Sequence, residues 1–272
     1  MKTRILKITA LCLAIVLIIG VCAFANSLVG NPISKMMARH TAEKHLEANY
    51  PNTDYEIEEV SYSFKDGGYY AHVASPSSMD GNFTLRLSMF GKLRNDDYSS
   101  RVEGHDNVAK RLYFEYREMV DTVLNSYAYP YTVSMGYGRL EFESEVGEEE
   151  VKGAIRRTEL VNDRFYKVGE LGAKNGELVL YIDSDTVTNE KAAEILLKTK
   201  ELLDQSGISF YSVHFCLRYP PYDVEKSYER PDGEIDLKDF LYTDIYEEGF
   251  IERIEKCVED TQNYYNEQDN DK

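Results

Sequence analysis

The sequence predicts an α+β protein: an N-terminal transmembrane helix, then two small α/β sandwich units, each a helix on an antiparallel sheet, joined by a long helix. Three observations carry this. An uncharged run of 18 residues, Ile8 to Ala25, opens the chain. Beyond it, segments with the two-residue alternation of half-buried strands are interleaved with segments of helical spacing. The strands of the first half follow one another through tight turns, and the second half contains a single crossover helix, so antiparallel pairing is expected in both.

The apolar run is preceded by Lys2, Arg4 and Lys7 and followed by no Lys or Arg until Lys35. The positive-inside bias then keeps residues 1–7 in the cytoplasm and exports everything after residues 8–25, a single-pass protein with extracellular C-terminal domains and the membrane as its first partner. At 1.5 Å per residue the run is about 27 Å long, close to the ~30 Å hydrocarbon core. Two other addresses compete. Ala23-Phe24-Ala25 is an A-x-A triplet that would place a signal cut after Ala25. Cys22 would suit lipid attachment, but Val21 stands where a small residue is needed. The anchor is preferred because the apolar run continues through the candidate cut, while cleavage remains open.

The whole chain has a formal net charge of −17, and without residues 1–26 it keeps 28 Lys+Arg against 48 Asp+Glu, a net −20. Such a field repels nucleic acid and tolerates divalent cations or basic peptides. Six of the ten residues from Glu141 to Glu150 are Glu, which reads as a solvated edge or loop. Tyr is abundant, at 22 residues with no Trp, as expected of strand-rich segments. Of the four Cys, only Cys216 and Cys257 lie beyond the apolar run, too few for a disulfide framework; one bridge and two buried thiols both remain open.

In the first unit, residues 31–103, Asn31 caps a helix with Pro32 at its first position, running to Tyr50 with Ile33, Met36, Met37, Leu46 and Tyr50 as its apolar stripe. Strands follow at Tyr55 to Phe64, Tyr69 to Ser75 and Asn82 to Met89, the first two joined by Lys65-Asp66-Gly67-Gly68. The apolar phase of the first strand slips near Glu58-Glu59, which predicts a bulge. A linking helix occupies residues 104–126, with Val108, Leu112, Tyr116, Met119, Val120, Val123 and Leu124 at helical spacing. The second unit, residues 127–266, reads as strand (Tyr131 to Phe142), acidic loop, strand (Glu177 to Asp183), helix (Asn189 to Asp204), strand (Ser209 to Tyr219), short strand (Glu234 to Leu237) and helix (Tyr246 to Tyr265). Ile251, Ile254, Val258, Thr261 and Tyr265 line that last helix, and residues 267–272 should be a disordered tail.

The run "NPISKMMARHTAEKHLEANYP", followed by "YSFKDGGYYAHVASPSSMDGNFTLRL", resembles the YfjL-like family of membrane-anchored envelope proteins from Gram-positive bacteria. The resemblance is strongest over Asn31 to Leu87, and its layout is similar to that of PepSY modules, which inhibit or regulate rather than catalyse. It implies an address in the cell envelope and a helix-plus-three-strand fold. It carries over no functional residue, because the matched positions are turns, caps and core.

The residues offer little chemistry. His40 and His45 stand about 140° apart on their helix, too far to share a metal, and His40 with Glu43 makes two ligands at best. His214 and Cys216 project from the more polar face of one strand, but their Cα atoms are about 6.6 Å apart, a long reach for a thiol–imidazole couple. Asp183-Ser184-Asp185, with Glu194 twelfth, starts like a calcium loop and fails at Val187 and Thr188, so Asp185 or Thr188 is better read as a helix cap with Glu190 behind it. His72 and His105 stand alone. No catalytic, metal or cofactor-binding residue is assigned, and no cofactor is expected. The expectation is a non-catalytic interaction or regulatory module with an unidentified envelope protein or peptide partner. A cation- or peptide-binding sensor is the alternative, and a secreted hydrolase comes last.

Overall fold

The structure, a computed structural model, describes residues 2–142, 154–220 and 233–270. The chain is α+β with two four-stranded sheets, and it divides into two compact units, one of residues 1–107 with Val161–Asp163 and one of residues 108–160 with 164–272.

Helix α1 spans Lys2–Val29 and continues through Ala25. Its described apolar side chains, Leu11 through Val29, are exposed. Among the described residues no helix is long and apolar enough to cross a membrane. This corrects the transmembrane assignment of residues 8–25, and with it the membrane as a partner and the single-pass localisation. Gly30 ends the helix in the left-handed region (φ 74°), where a side chain would meet Tyr62 and Tyr69.

Helix α2, Pro32–Asn49, begins as expected: the Asn31 side chain accepts from the Ser34 N–H at 2.8 Å, and the Asn31 backbone is gripped on both sides by the Tyr69 hydroxyl at 2.9 Å. Its buried stripe is Ala38, Ala42 and Leu46, whereas Ile33, Met36 and Met37 are exposed. The predicted stripe holds at Leu46 and Tyr50 but is displaced earlier in the helix, where Ala38 and Ala42 are buried in place of Ile33, Met36 and Met37. Alanine, with only a methyl group, lets the helix axis approach the sheet more closely than methionine would.

Under α2 lies an antiparallel sheet of β1 (Glu56–Ser63), β2 (Gly68–Ala74), β3 (Asn82–Ser88) and β4 (Leu93–Asp96), in that order. The register slips between Ile57 and Glu59, at the predicted bulge. The fourth strand and a following π-helical turn, Ser99–Glu103, were not predicted. Val60, Tyr69, Ala71, Val73, Phe83, Leu85 and Leu87 form the core against α2. Val161–Asp163 completes this unit. Asp163 (φ 60°) accepts from the Ser78 hydroxyl at 2.8 Å, Met79 N at 2.8 Å and Asp80 N at 3.2 Å, and its own N–H donates to buried Asp80 at 2.8 Å.

In the second unit, α3 (Asp106–Leu124) buries Val108, Leu112, Tyr116, Val120 and Leu124 in the core, so from Val108 on the helix expected to link the halves is a core element. The sheet holds β5 (Thr132–Leu140), β6 (Gly176–Asp183), β7 (Ser212–Arg218) and β8 (Glu234–Leu241) in that order. It is mixed: β6 and β7 run parallel, joined across helix α5 (Asn189–Gln205), while the other pairs are antiparallel. This corrects the antiparallel expectation for the second unit, because one crossover helix is enough to place two neighbouring strands in parallel. Thr188 caps α5, accepting from Lys191 N at 3.2 Å.

Helix α4, Val168–Asn175, was not predicted, since two glycines in eight residues argue against a helix. They are there for contact: a side chain at Gly172 would come within 1.8 Å of the Ser209 carbonyl oxygen. Helix α6, Phe250–Asn270, starts later than expected and continues through residues 267–270, expected to be a disordered tail. The acidic loop, from residue 143 on, lies outside the described residues.

Candidate functional site

Three of the titratable residues singled out in the sequence, Asp183, His214 and Cys216, lie on one face of the second sheet. Alternation along β6 and β7 sends Leu178, Leu180, Ile182, Val213, Phe215 and Leu217 into the core. It sends Glu177, Tyr181, Asp183, His214, Cys216 and Arg218 to the other face. The register aligns Tyr181 with Cys216 and Cys216 with Asp236 of β8.

The charged groups of this face lie in ion-pair contact with one another, although buried Arg139 Nε, Glu177 Oε2 and Asp236 Oδ1 make no hydrogen bond of good geometry. His214 Nε2 lies 3.2 Å from Asp236 Oδ1, and its ring stacks on Tyr181 with centroids 5.7 Å apart. The bond to the Asp236 carboxylate raises the imidazole pKa against the opposing effect of burial. Arg218 Nε donates to Asp183 at 3.1 Å, its guanidinium also reaching Ser134 and lying over the Tyr181 ring. Arg139 is paired with Glu177 and, at 3.1 Å, with Glu141. At the β8 edge, burial and then Asp236 raise the Tyr265 phenol, while Thr261 accepts the Lys238 N–H at 3.1 Å.

Cys216 is buried, and its thiol points to Glu234 at 3.8 Å rather than to the imidazole. Burial, followed by the charges of Glu234 and Asp236, pushes its pKa up to about 12. A thiol in that setting is protonated at neutral pH and is a poor nucleophile. Cys257 is also free, donating toward the Lys238 carbonyl at 3.7 Å, so the two cysteines are separate thiols.

The remaining candidates are dispersed. His40 is exposed, and Glu43 pairs with Arg39 at 3.1 Å. His72 meets the Ser61 hydroxyl at 3.3 Å, and His105 meets Asn162 at 3.0 Å. Glu194 holds Lys191 at 2.8 Å and Tyr131 at 3.2 Å, away from any calcium-loop role. No group of three or more His, Cys, Asp or Glu among the described residues is placed to hold a metal ion.

One cluster was missed from sequence. Asp96 Oδ2 accepts from the Tyr50 hydroxyl at 2.6 Å and lies 2.7 Å from His45 Nε2, while Oδ1 accepts from Tyr98 N at 2.9 Å. Burial, then Asp96, pushes the Tyr50 phenol far up. The rings of Tyr50, Tyr55, Phe83 and Tyr98 pack around it with centroids 4.6–6.0 Å apart. His45 and Asp96 are 51 residues apart, so no local spacing announces the pair.

Two family models cover the chain: the YfjL-like N-terminal domain matches residues 5–120, and the YfjL-like C-terminal domain matches residues 115–255. No curated protein and no solved structure matches it.

Proposed function

The chain thus belongs to the YfjL-like family, and we propose that it acts as a non-catalytic interaction or regulatory module. The observation that supports this is the pairing around Cys216. The one thiol close to a histidine on the same strand face donates to Glu234 instead, with its pKa near 12, and that histidine is taken up by Asp236. Nucleophilic catalysis needs the reverse, a base within hydrogen-bond reach of a group it can deprotonate. The charged side chains described on this face act on one another, which favours a rigid surface over a reactive one.

Alkylation tests the reading directly. The folded chain is treated with iodoacetamide near pH 8 and the sites are mapped by mass. A thiol with pKa about 12 is ionised roughly a thousandfold less than an ordinary cysteine there, so Cys216 should label only after unfolding. Rapid labelling of native Cys216 that disappears in His214→Ala would reveal a thiol–imidazole couple and overturn the proposal.

A further inference from the structure

We propose that the cavity beside α4 binds an acidic peptide segment, taking one apolar side chain while flanking Asp or Glu residues meet its cationic rim. This names a partner for the module proposed above and rests on that reading. The cavity measures about 380 Å³, within the ~300–1,000 Å³ range of small-ligand sites. Half-buried Ile155, Tyr166 and Leu171 supply apolar wall, and Arg164, Lys167 and Lys174 supply charge.

The charge is unusual for its setting. Three cations face a single carboxylate, Glu170, in a chain whose net charge is −17. Glu170 is bound by Lys167 at 3.0 Å. The Arg164 guanidinium lies 5.1 Å over the Tyr166 ring, and among the described residues neither Arg164 nor Lys174 forms an ion pair. The general field of an acidic protein repels anions, so attraction here must come from these nearby groups and act within a Debye length of about 8 Å.

Geometry selects the kind of anion. Lys167, just before α4, and Lys174 within it are seven residues apart, about 10 Å at helical rise, with Leu171 between them. A single phosphate or carboxylate cannot bridge that span. Two carboxylates four residues apart on an extended peptide can, because they share a face with the apolar residue midway between them and stand about 13 Å apart, within reach of two flexible lysines. The cavity is also braced before any ligand arrives. Asn175, at the end of α4, accepts from Ile155 N at 3.1 Å and donates to the Ile155 and Glu141 carbonyls at 2.9 and 2.8 Å. A site already held in shape loses less conformational entropy on binding.

The test titrates the full chain into a fluorescein-labelled Glu-Glu-Phe-Glu-Glu peptide and follows anisotropy at low and high salt. Saturable binding that weakens with salt, and that falls about tenfold in Arg164→Glu and in Lys174→Glu, is expected. Both side chains are exposed, and unchanged melting curves would confirm that the variants fold. The proposal is overturned by no saturable binding, by equal binding of a Lys-Lys-Phe-Lys-Lys peptide, or by charge-reversal variants that bind as tightly as the parent. Displacement of the peptide by an equal concentration of inorganic phosphate would also overturn it and make the cavity a phosphate site. None of these results bears on the alkylation of Cys216, so failure here and failure of the non-catalytic reading are separate outcomes.

Discussion

The surroundings of His214 favour its charged form. Asp236 faces it at 3.2 Å, and the charges of Glu177 and Asp239 act in the same direction, all favouring the imidazolium. A folded-state pKa raised above the unfolded value of about 6.5 means that the pair contributes stability in full below that value. The contribution is lost as pH rises through the raised folded value. The melting temperature of the parent should therefore exceed that of His214→Gln most at acidic pH, with the gap closing as the solution becomes alkaline. A gap that stays constant across this window would show that the ring contributes by stacking on Tyr181 and not by charge.

At the scale of elements, α2 shows how a helix chooses its buried side. Ala38 and Ala42 are fully buried while Met36 and Ile33 are about two-thirds exposed. The larger apolar residues were the natural reading from hydropathy, but the strand surface beneath leaves room for a methyl group only. Ala42→Leu should then overpack the interface and cost about 1–3 kcal/mol, whereas Ile33→Ser should stay within about 0.5 kcal/mol of the parent. Urea unfolding of the two variants distinguishes this placement from the hydropathy-based one, which predicts the opposite order. Helix α4 follows the same logic in the second unit, where Gly169 and Gly172 lie against the backbone of residues 207–209, and Ser209 N donates to the Gly169 carbonyl at 3.0 Å. Low helix propensity is offset there by contact that any side chain would prevent.

For the whole molecule, the division into units does not follow a single cut in the chain. Residues 161–163 return to the first unit after more than fifty residues spent in the second. Asp163 is the anchor of that return, with three donors on one carboxylate oxygen and its own N–H on Asp80. Asp163→Ala removes the acceptor from two backbone N–H groups and a hydroxyl, and should destabilise the first unit by roughly 2–3 kcal/mol. Hydrogen exchange by residue gives the readout: protection should fall in β2 and β3 and be retained in β6 and β7. Equal loss across both sheets would show that the two units unfold as one. For the same reason, a fragment ending at Asn107 should be less stable than the first unit within the full chain.

The sequence by itself determined what depends on neighbours in the chain. The Asn31 cap, the bulge between Ile57 and Glu59, most of the buried stripe of α3, the order of the main elements and the family all follow from patterns within a few residues to a few dozen, and the cap of α5 was narrowed to Asp185 or Thr188. The placement of Cys216 and His214 on one strand face was also legible, because strand alternation is local. Only the tertiary structure decided the parallel pairing of β6 with β7, the alanine face of α2, helix α4 and the Asp163 clamp. It also decided that Cys216 answers to Glu234, 18 residues away, and not to the histidine two residues before it. These depend on which surfaces meet and how closely, and no spacing within a segment records the shape of the surface that will cover it.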